Sequence, residues 1–224
     1  MRINRLTITV IALFAVFRVN AQSSNNRLSW WPAFYVRYPI NKKWILNADV
    51  QARNFAKEPL IGLIALRTGA HYRISNQWST AIGSAWFHQQ QFKSGKKKII
   101  TDELRLWEDI RHEFSLDKWK IINQFRTEQR YWKHDGIAFR FRYRLATEYI
   151  FTDKWKAMGG NEIMWQSSKV RKNWDQYRAW VGGEYAFNAR QQVQLSLMNW
   201  WQFSNHTHQP VLRINFVQSI NAPL

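Results

Sequence analysis

The sequence predicts an all-β protein: an antiparallel transmembrane β-barrel of about ten to twelve strands behind a cleaved N-terminal signal peptide. Three observations carry that prediction. Five short polar turns recur along the chain: Asn41-Lys42-Lys43, Ser75-Asn76-Gln77, Leu116-Asp117-Lys118, Thr152-Asp153-Lys154 and Asn188-Ala189-Arg190. In four of the five a tryptophan starts the next segment, namely Trp44, Trp78, Trp119 and Trp155. An aromatic at one fixed height of a repeating hairpin marks a membrane interface, with the indole ring inward and its N–H toward water. The second observation is strict alternation of apolar and polar residues over segments of 12–15 residues, long for globular strands but suited to tilted strands crossing a bilayer. The third is asymmetry: three-residue turns on one side face longer loops on the other, at Ala56–Pro59, Lys93–Ile99, Lys133–Ile137, Ser167–Asn173 and Ser204–Pro210.

The first 21 residues read as a secretory signal, with Arg2 and Arg5, an apolar stretch from Leu6 to Phe17, and Val19-Asn20-Ala21 before Gln22. Residues 22–224 then form a single barrel domain, since no linker rich in Pro, Gly or Ser divides them. No stretch reaches the length of an apolar transmembrane helix. The chain has no cysteine, which excludes disulfides, thiolate metal sites and a lipid-anchored N-terminal Cys. The net charge is +18 with His neutral; the signal takes three basic residues and no acids, leaving about +15. Secretion and the scattering of the basic residues along strands argue against nucleic acid as the partner. Charges that alternate along strands instead line a lumen.

Side chains on a strand alternate faces, so each segment divides in two. Segment 43–55 sets Trp44, Leu46, Ala48, Val50 and Ala52 against Asn47, Asp49, Gln51 and Arg53. Segment 60–74 opposes Leu60, Ile64, Leu66, Ala70, Tyr72 and Ile74 to Arg67, His71 and Arg73. In 119–132 the sets are Trp119, Ile121, Phe125, Tyr131 and Gln124, Arg126, Glu128, Arg130. In 138–151 they are Phe139, Phe141, Tyr143, Leu145, Tyr149, Phe151 and Arg140, Arg142, Arg144, Glu148. The pattern repeats in 155–166, 174–187 and 191–203, weakens in 28–40 and 78–92, and ends with a short segment at 211–220. That makes eleven segments, at odds with the even strand number of bacterial single-chain barrels; a terminal segment outside the wall or one miscounted strand would remove the conflict.

A soluble barrel or sandwich would have to bury most of 14 Trp, 14 Phe and 8 Tyr in one core. The aromatics cluster instead at segment ends. Trp44, Trp78, Trp119, Trp155, Phe114, Phe151 and Phe187 lie beside turns; Tyr131, Phe139, Trp165, Tyr177 and Phe203 lie near loops. Glu108, His112 and Gln129 are polar intruders on the apolar face, tolerable near an interface.

The polar face gives a constellation. With Leu116-Asp117 at a hairpin tip, residues whose numbers sum to 233 lie opposite each other, pairing Glu113 with Lys120, Arg105 with Glu128, and Glu103 with Arg130. The turn at 152–154 sets Arg144 opposite Glu162, and Glu162 then falls near Arg178. The result is a lumen belt of Glu103, Arg105, Glu128, Arg130, Arg144, Glu162 and Arg178. Such a belt either selects solutes in a narrow, porin-like conduit or plugs a filled structural barrel, and side chains fill narrow barrels of about eight strands.

These hairpins and charged segments resemble the uncharacterised outer-membrane β-barrels grouped as domain-of-unknown-function family 2490. The likeness rests on Asn41-Lys42-Lys43-Trp44, Leu116-Asp117-Lys118-Trp119, Phe125-Arg126-Thr127-Glu128-Gln129-Arg130 and Phe139-Arg140-Phe141-Arg142-Tyr143-Arg144. It implies a barrel in the outer membrane of the Gram-negative envelope, and no activity.

An outer-membrane lipid-modifying enzyme of the hydrolase or acyltransferase type is the alternative. His71 falls opposite Ala81, two residues from Ser79, but no register supplies the acid of a triad. His134 with Asp135, and His206 with His208, lie in loops; no nucleophile-elbow, zinc-protease or phosphate-loop motif occurs. No catalytic residue, metal or cofactor is assigned. Membrane lipid is the expected partner. The loop residues Lys93, Lys96, Lys97 and Lys98, with Lys169, Arg171 and Lys172, form two basic clusters suited to the phosphates of lipopolysaccharide.

Overall fold

The computed structural model describes residues 28–54, 61–92, 98–133, 136–169, 172–204 and 206–220. They form eleven strands: β1 (Ser29–Pro39), β2 (Trp44–Asn54), β3 (Ile61–Arg73), β4 (Trp78–Phe92), β5 (Lys98–Leu116), β6 (Trp119–Trp132), β7 (Gly136–Ile150), β8 (Trp155–Ser168), β9 (Lys172–Asn188), β10 (Gln191–Gln202) and β11 (Thr207–Ser219). Each pairs antiparallel with its neighbour in sequence, and the sheet closes into a barrel. Residues 1–21, expected to form a signal peptide, lie outside the described ones.

The odd count is genuine. All eleven segments are in the wall, and neither terminal one lies outside it. An up-and-down barrel with an odd number of strands has first and last strands running the same way, so it must close in parallel. β1 does pair parallel with β11, from Ser29↔Val211 to Arg37↔Ser219. The seam is tied at the turn side by Ile220 N–H donating to Arg37 O at 2.9 Å. Strand β11 starts at Thr207, earlier than the short segment at 211–220 suggests. His208 therefore sits in the wall with its ring 4.3 Å from Trp201, and His206 stays in the turn at φ 50.

One device recurs in four of the five turns. Asn41 Oδ1 accepts from the N–H groups of Lys43 (2.8 Å) and Trp44 (2.9 Å). Ser75 Oγ does the same for Gln77 and Trp78, Thr152 Oγ1 for Lys154 and Trp155, and Asn188 Oδ1 for Arg190 and Gln191. A short side chain that caps two backbone donors is why Asn, Ser or Thr opens each turn. Asn41→Ala is expected to lower stability by about 0.5–2 kcal/mol, the range for a lost capping acceptor, in urea unfolding of the refolded barrel. The fifth turn works differently: Asp117 adopts φ 52 and the loop is only Asp117-Lys118.

The faces follow the alternation. Leu46, Val50, Leu66, Ile82, Leu104, Leu106, Phe125, Phe141, Leu195 and Leu197 are exposed on the outer wall. At the turn side the post-turn tryptophans pack at an angle against their register partners in the next strand: Trp44 on Tyr72 (4.8 Å), Trp78 on His112 (4.5 Å), Trp119 on Tyr149 (4.9 Å) and Trp155 on Tyr185 (4.6 Å). Phe151 and Phe187 extend this belt. At the loop side Phe141 meets Trp165 at 5.7 Å and Trp201 meets Phe203 at 5.7 Å. An apolar band between two aromatic girdles, with short turns opposite longer loops, is the exterior of a bacterial outer-membrane barrel. The three polar intruders are accounted for: His112 joins the girdle, Thr127 donates to Glu108 (2.9 Å), and Tyr131 donates to Gln129 (2.6 Å).

Inside, the barrel is narrowed by aromatics. Trp107 of β5 lies against the backbones of Gly69 and Gly83, which face each other across β3 and β4. On the outside of that region a groove of about 660 Å³ runs over Ala48, Thr68, Ala70 and Ser84, bounded by Leu46, Ile82 and Leu106.

Candidate functional site

The charged lumen is built on β5 to β9, whose inward residues carry most of the acids and arginines. The β5–β6 register departs from the expected one. Leu116 pairs with Trp119 and Glu103 with Trp132, so opposite residues sum to 235, not 233. The cause is the two-residue turn at Asp117, which moves the tip by one position. A slip of two leaves every side chain on its face. The three expected ion pairs therefore form along diagonals: Lys120 with Glu113, Arg105 with Glu128 (3.5 Å), and Arg130 with Glu103 (2.5 Å). Arg105 stands directly opposite Arg130, a like-charge juxtaposition that Glu103 relieves by accepting from both guanidinium groups.

The other two expected pairings are in register. Arg144 lies opposite Glu162, and Glu162 lies opposite Arg178. Arg178 Nη1 donates to Glu162 Oε1 at 2.8 Å. Arg144 instead packs its guanidinium over the Trp180 ring at 4.9 Å, and Glu162 takes its second contact from Arg142 at 3.7 Å.

The belt is larger than the sequence alone indicated. Glu128 is its hub: Arg140 and Arg142 (2.8 Å) both engage it beside Arg105. Arg140 continues to Asp175 at 3.4 Å. Toward the turn side Asp109 holds Arg126 (2.6 Å) and Gln124 (2.7 Å), and Asp49 holds its register partner Arg67 (2.9 Å). Arg140, Arg142, Asp109, Arg126, Asp49 and Arg67 all sit on the face read as polar. Their pairings needed the correct tip and the strand order.

The lumen aromatics had no such signal. Trp31, Phe87, Trp107, Trp180 and Trp200 point inward, where the guanidinium groups stack on them: Arg105 over Phe87 (3.7 Å), Arg126 over Trp107 (4.1 Å), Arg53 over Trp31 (4.3 Å) and Arg213 over Trp180 (5.0 Å). Weak alternation in 28–40 and 78–92 has this origin, because Trp31, Ala81, Ala85 and Phe87 make the inner face of β1 and β4 apolar too.

His71 does face Ala81 across β3 and β4, and its ring lies 6.2 Å from Trp107. On the outer wall His88 Nδ1 meets Asp102 at 2.9 Å and its Nε2 meets the Gln90 amide at 3.1 Å, so neighbouring side chains occupy both ring nitrogens. His134 and Asp135 lie outside the described residues. So do Lys93, Lys96, Lys97 and Arg171 of the basic clusters; Lys98 and Lys172 open β5 and β9 at the loop end, and Lys169 follows β8.

A family profile described as "Protein of unknown function (DUF2490)" matches residues 28–210. Comparison with curated proteins gives no match. Among solved structures, the chain is similar to OmpT, an outer membrane protein of Vibrio cholerae, at 13% identity and a TM-score of 0.45, over 74% of this chain and 52% of that one. It is also similar to the beta domain of the Bordetella autotransporter BrkA, at 12% identity and TM-score 0.43, over 77% and 78% of the two chains. An anion-selective porin from Comamonas acidovorans matches at 12% identity and TM-score 0.35, over 79% and 53%. The chain thus spans about half the length of OmpT.

Proposed function

This chain belongs to the DUF2490 family of unknown function, and from its lumen we propose that it is a filled, non-conducting structural barrel of the outer membrane. One observation carries the reading. Three side chains that project into the middle of the lumen are almost without accessible surface: Met164 at 0%, Arg140 at 2% and Glu128 at 4%. A water-filled path beside them would leave them exposed. The ion pairs and stacked rings occupy the space that a conduit would need, as side chains do in narrow barrels. Each buried charge in the hub has a partner of opposite sign, which a dry lumen requires.

Planar-bilayer recording of the refolded full chain tests this. The expected result is no stable conductance steps at voltages where a general porin conducts. Reproducible steps of uniform size would assign the lumen to a conduit and overturn the plug.

The basic loop ends enter the same reading as a lipid contact. The lysines and arginines of these two loops would meet the phosphates of lipopolysaccharide in the outer leaflet and so steady a structural barrel there. Neutralising Lys93, Lys96, Lys97, Lys98, Lys169, Arg171 and Lys172 together is expected to lower the melting temperature in lipopolysaccharide-containing membranes and leave it unchanged in neutral detergent. An equal change in both would place their effect within the protein.

A further inference from the structure

Among the described residues, the loop-side half of the lumen holds more guanidinium groups than carboxylates, and one of them stands apart from the acids. Five guanidinium groups, from Arg105, Arg130, Arg140, Arg142 and Arg178, share four carboxylates, from Glu103, Glu128, Glu162 and Asp175. A sixth, Arg53, approaches from β2 on the opposite wall and contacts no carboxylate among the described residues. Its Nη2 donates to Gln51 Oε1 at 2.9 Å. Its Nε is buried and has no acceptor.

Arg53 also sits between two of the other cations. Its guanidinium lies 4.3 Å from the Trp31 ring and 5.9 Å from the Phe87 ring. Arg178 lies 5.6 Å from the same Trp31, and Arg105 lies 3.7 Å from the same Phe87. Sharing rings keeps each of them within about 10 Å of Arg53, where burial leaves little screening of their repulsion. The ring faces offset only part of that cost. An orphaned donor on a crowded, partly desolvated cation is a feature that an anion would complete.

We propose that Arg53, flanked by Arg105 and Arg178 and walled by Trp31 and Phe87, binds one doubly charged tetrahedral oxyanion of the phosphate or sulfate kind. Arg53 meets no carboxylate among the described residues and lies between Arg105 and Arg178, so an anion there would balance a local excess of positive charge. The guanidinium fork suits such an ion, offering parallel donors to two oxygens. Arg53 is one residue from the loop end of β2, so an ion entering from the loop side would meet it before the Glu128 hub. The site goes beyond the plug reading and is compatible with a closed barrel below it.

The test is calorimetric titration of the refolded full chain in a non-ionic detergent with inorganic phosphate at pH 8, with sodium chloride at matched ionic strength as the blank. The proposal expects one saturable site per chain and a phosphate-specific rise in melting temperature of about 3 °C. Arg53→Gln should abolish both, and Arg53→Lys should weaken binding about tenfold, because the charge stays and the fork is lost. Arg213→Gln, which removes a stacked arginine outside this cluster, should bind as the parent does. Absence of saturable binding in the parent overturns the site and makes Arg53 a stacked side chain only. Unchanged binding in Arg53→Lys, or equal loss in Arg213→Gln, overturns it as well. If Arg53→Gln fails to refold, the lysine variant still decides.

Discussion

Glu128→Ala should be among the most destabilising single substitutions in this barrel, costing on the order of 3–5 kcal/mol in urea unfolding of the refolded protein. The carboxylate takes contacts from Arg105, Arg140 and Arg142, and it is buried together with Arg140. Removing it leaves a cavity around which three guanidinium groups each lose one acceptor and repel one another with less compensation, although Arg105 keeps Glu103. Among the described residues, Arg140 then keeps the carboxylate of Asp175, and Arg142 that of Glu162 at 3.7 Å. Exchanging charges within one pair, as in Glu128→Arg with Arg105→Glu, is not expected to rescue the loss, because the new arginine would face Arg140 and Arg142. An isolated pair would be rescued by the same exchange, so the double variant separates a hub from a bridge. A Glu128→Ala barrel that unfolds at the parent's urea concentration would show that water reaches the hub.

A change of one methyl group should match that cost at Gly83. A Cβ there would sit 2.1 Å from the Thr68 carbonyl oxygen and 2.3 Å from the Trp107 ring. The first contact is with backbone, so no rotamer relieves it. The strands would have to part or shift, and Gly83→Ala is expected to cost about 3 kcal/mol or more, the upper end for overpacking. Trp107→Ala removes the ring contact but not the carbonyl contact, so it should not restore the double variant to the level of Trp107→Ala alone. Gly159 supplies the comparison: its Cβ would come no nearer than 3.4 Å to the Trp180 carbonyl oxygen. Gly159→Ala should stay within about 0.5 kcal/mol of the parent. If both alanine variants unfold alike, the narrow approach at Gly83 is not what holds β3 against β4.

The wall was legible because a strand writes its faces into the sequence with period two, and a bilayer outside makes the outward set uniformly apolar. That is why the sets around Phe125 and Arg126, or Phe141 and Arg142, could be assigned before any pairing was known. Register was legible only to within two residues. It turned on whether Asp117 would adopt a left-handed conformation, a single backbone choice that Asp tolerates better than most side chains. The ion pairs survived that slip because arginine is long enough to reach a diagonal neighbour. The stacked lumen was illegible for a different reason. Trp31, Phe87 and Trp180 break the rule that the inner face is polar, and nothing local distinguishes an indole facing lipid from one beneath a guanidinium. Arg53 illustrates the same limit: its place on the polar face was plain, but its want of a carboxylate depends on strands far away in sequence.

The parallel seam ties assembly to the whole length of the chain. Gln209 donates to Ser29 Oγ across 180 residues, whereas every other strand pairs with a neighbour joined to it by a single turn or loop. Ten hairpin contacts can zip progressively, each closing a short loop, but the eleventh contact brings the two ends of the sheet together at once. Until it does, β1 and β11 are both open edges with unpaired backbone groups, which hydrocarbon does not tolerate. Closure is therefore the step at which a growing sheet becomes a membrane protein, and its timing is set by the emergence of the last strand. A chain halted before β11 would have a nearly complete wall and nowhere to end it.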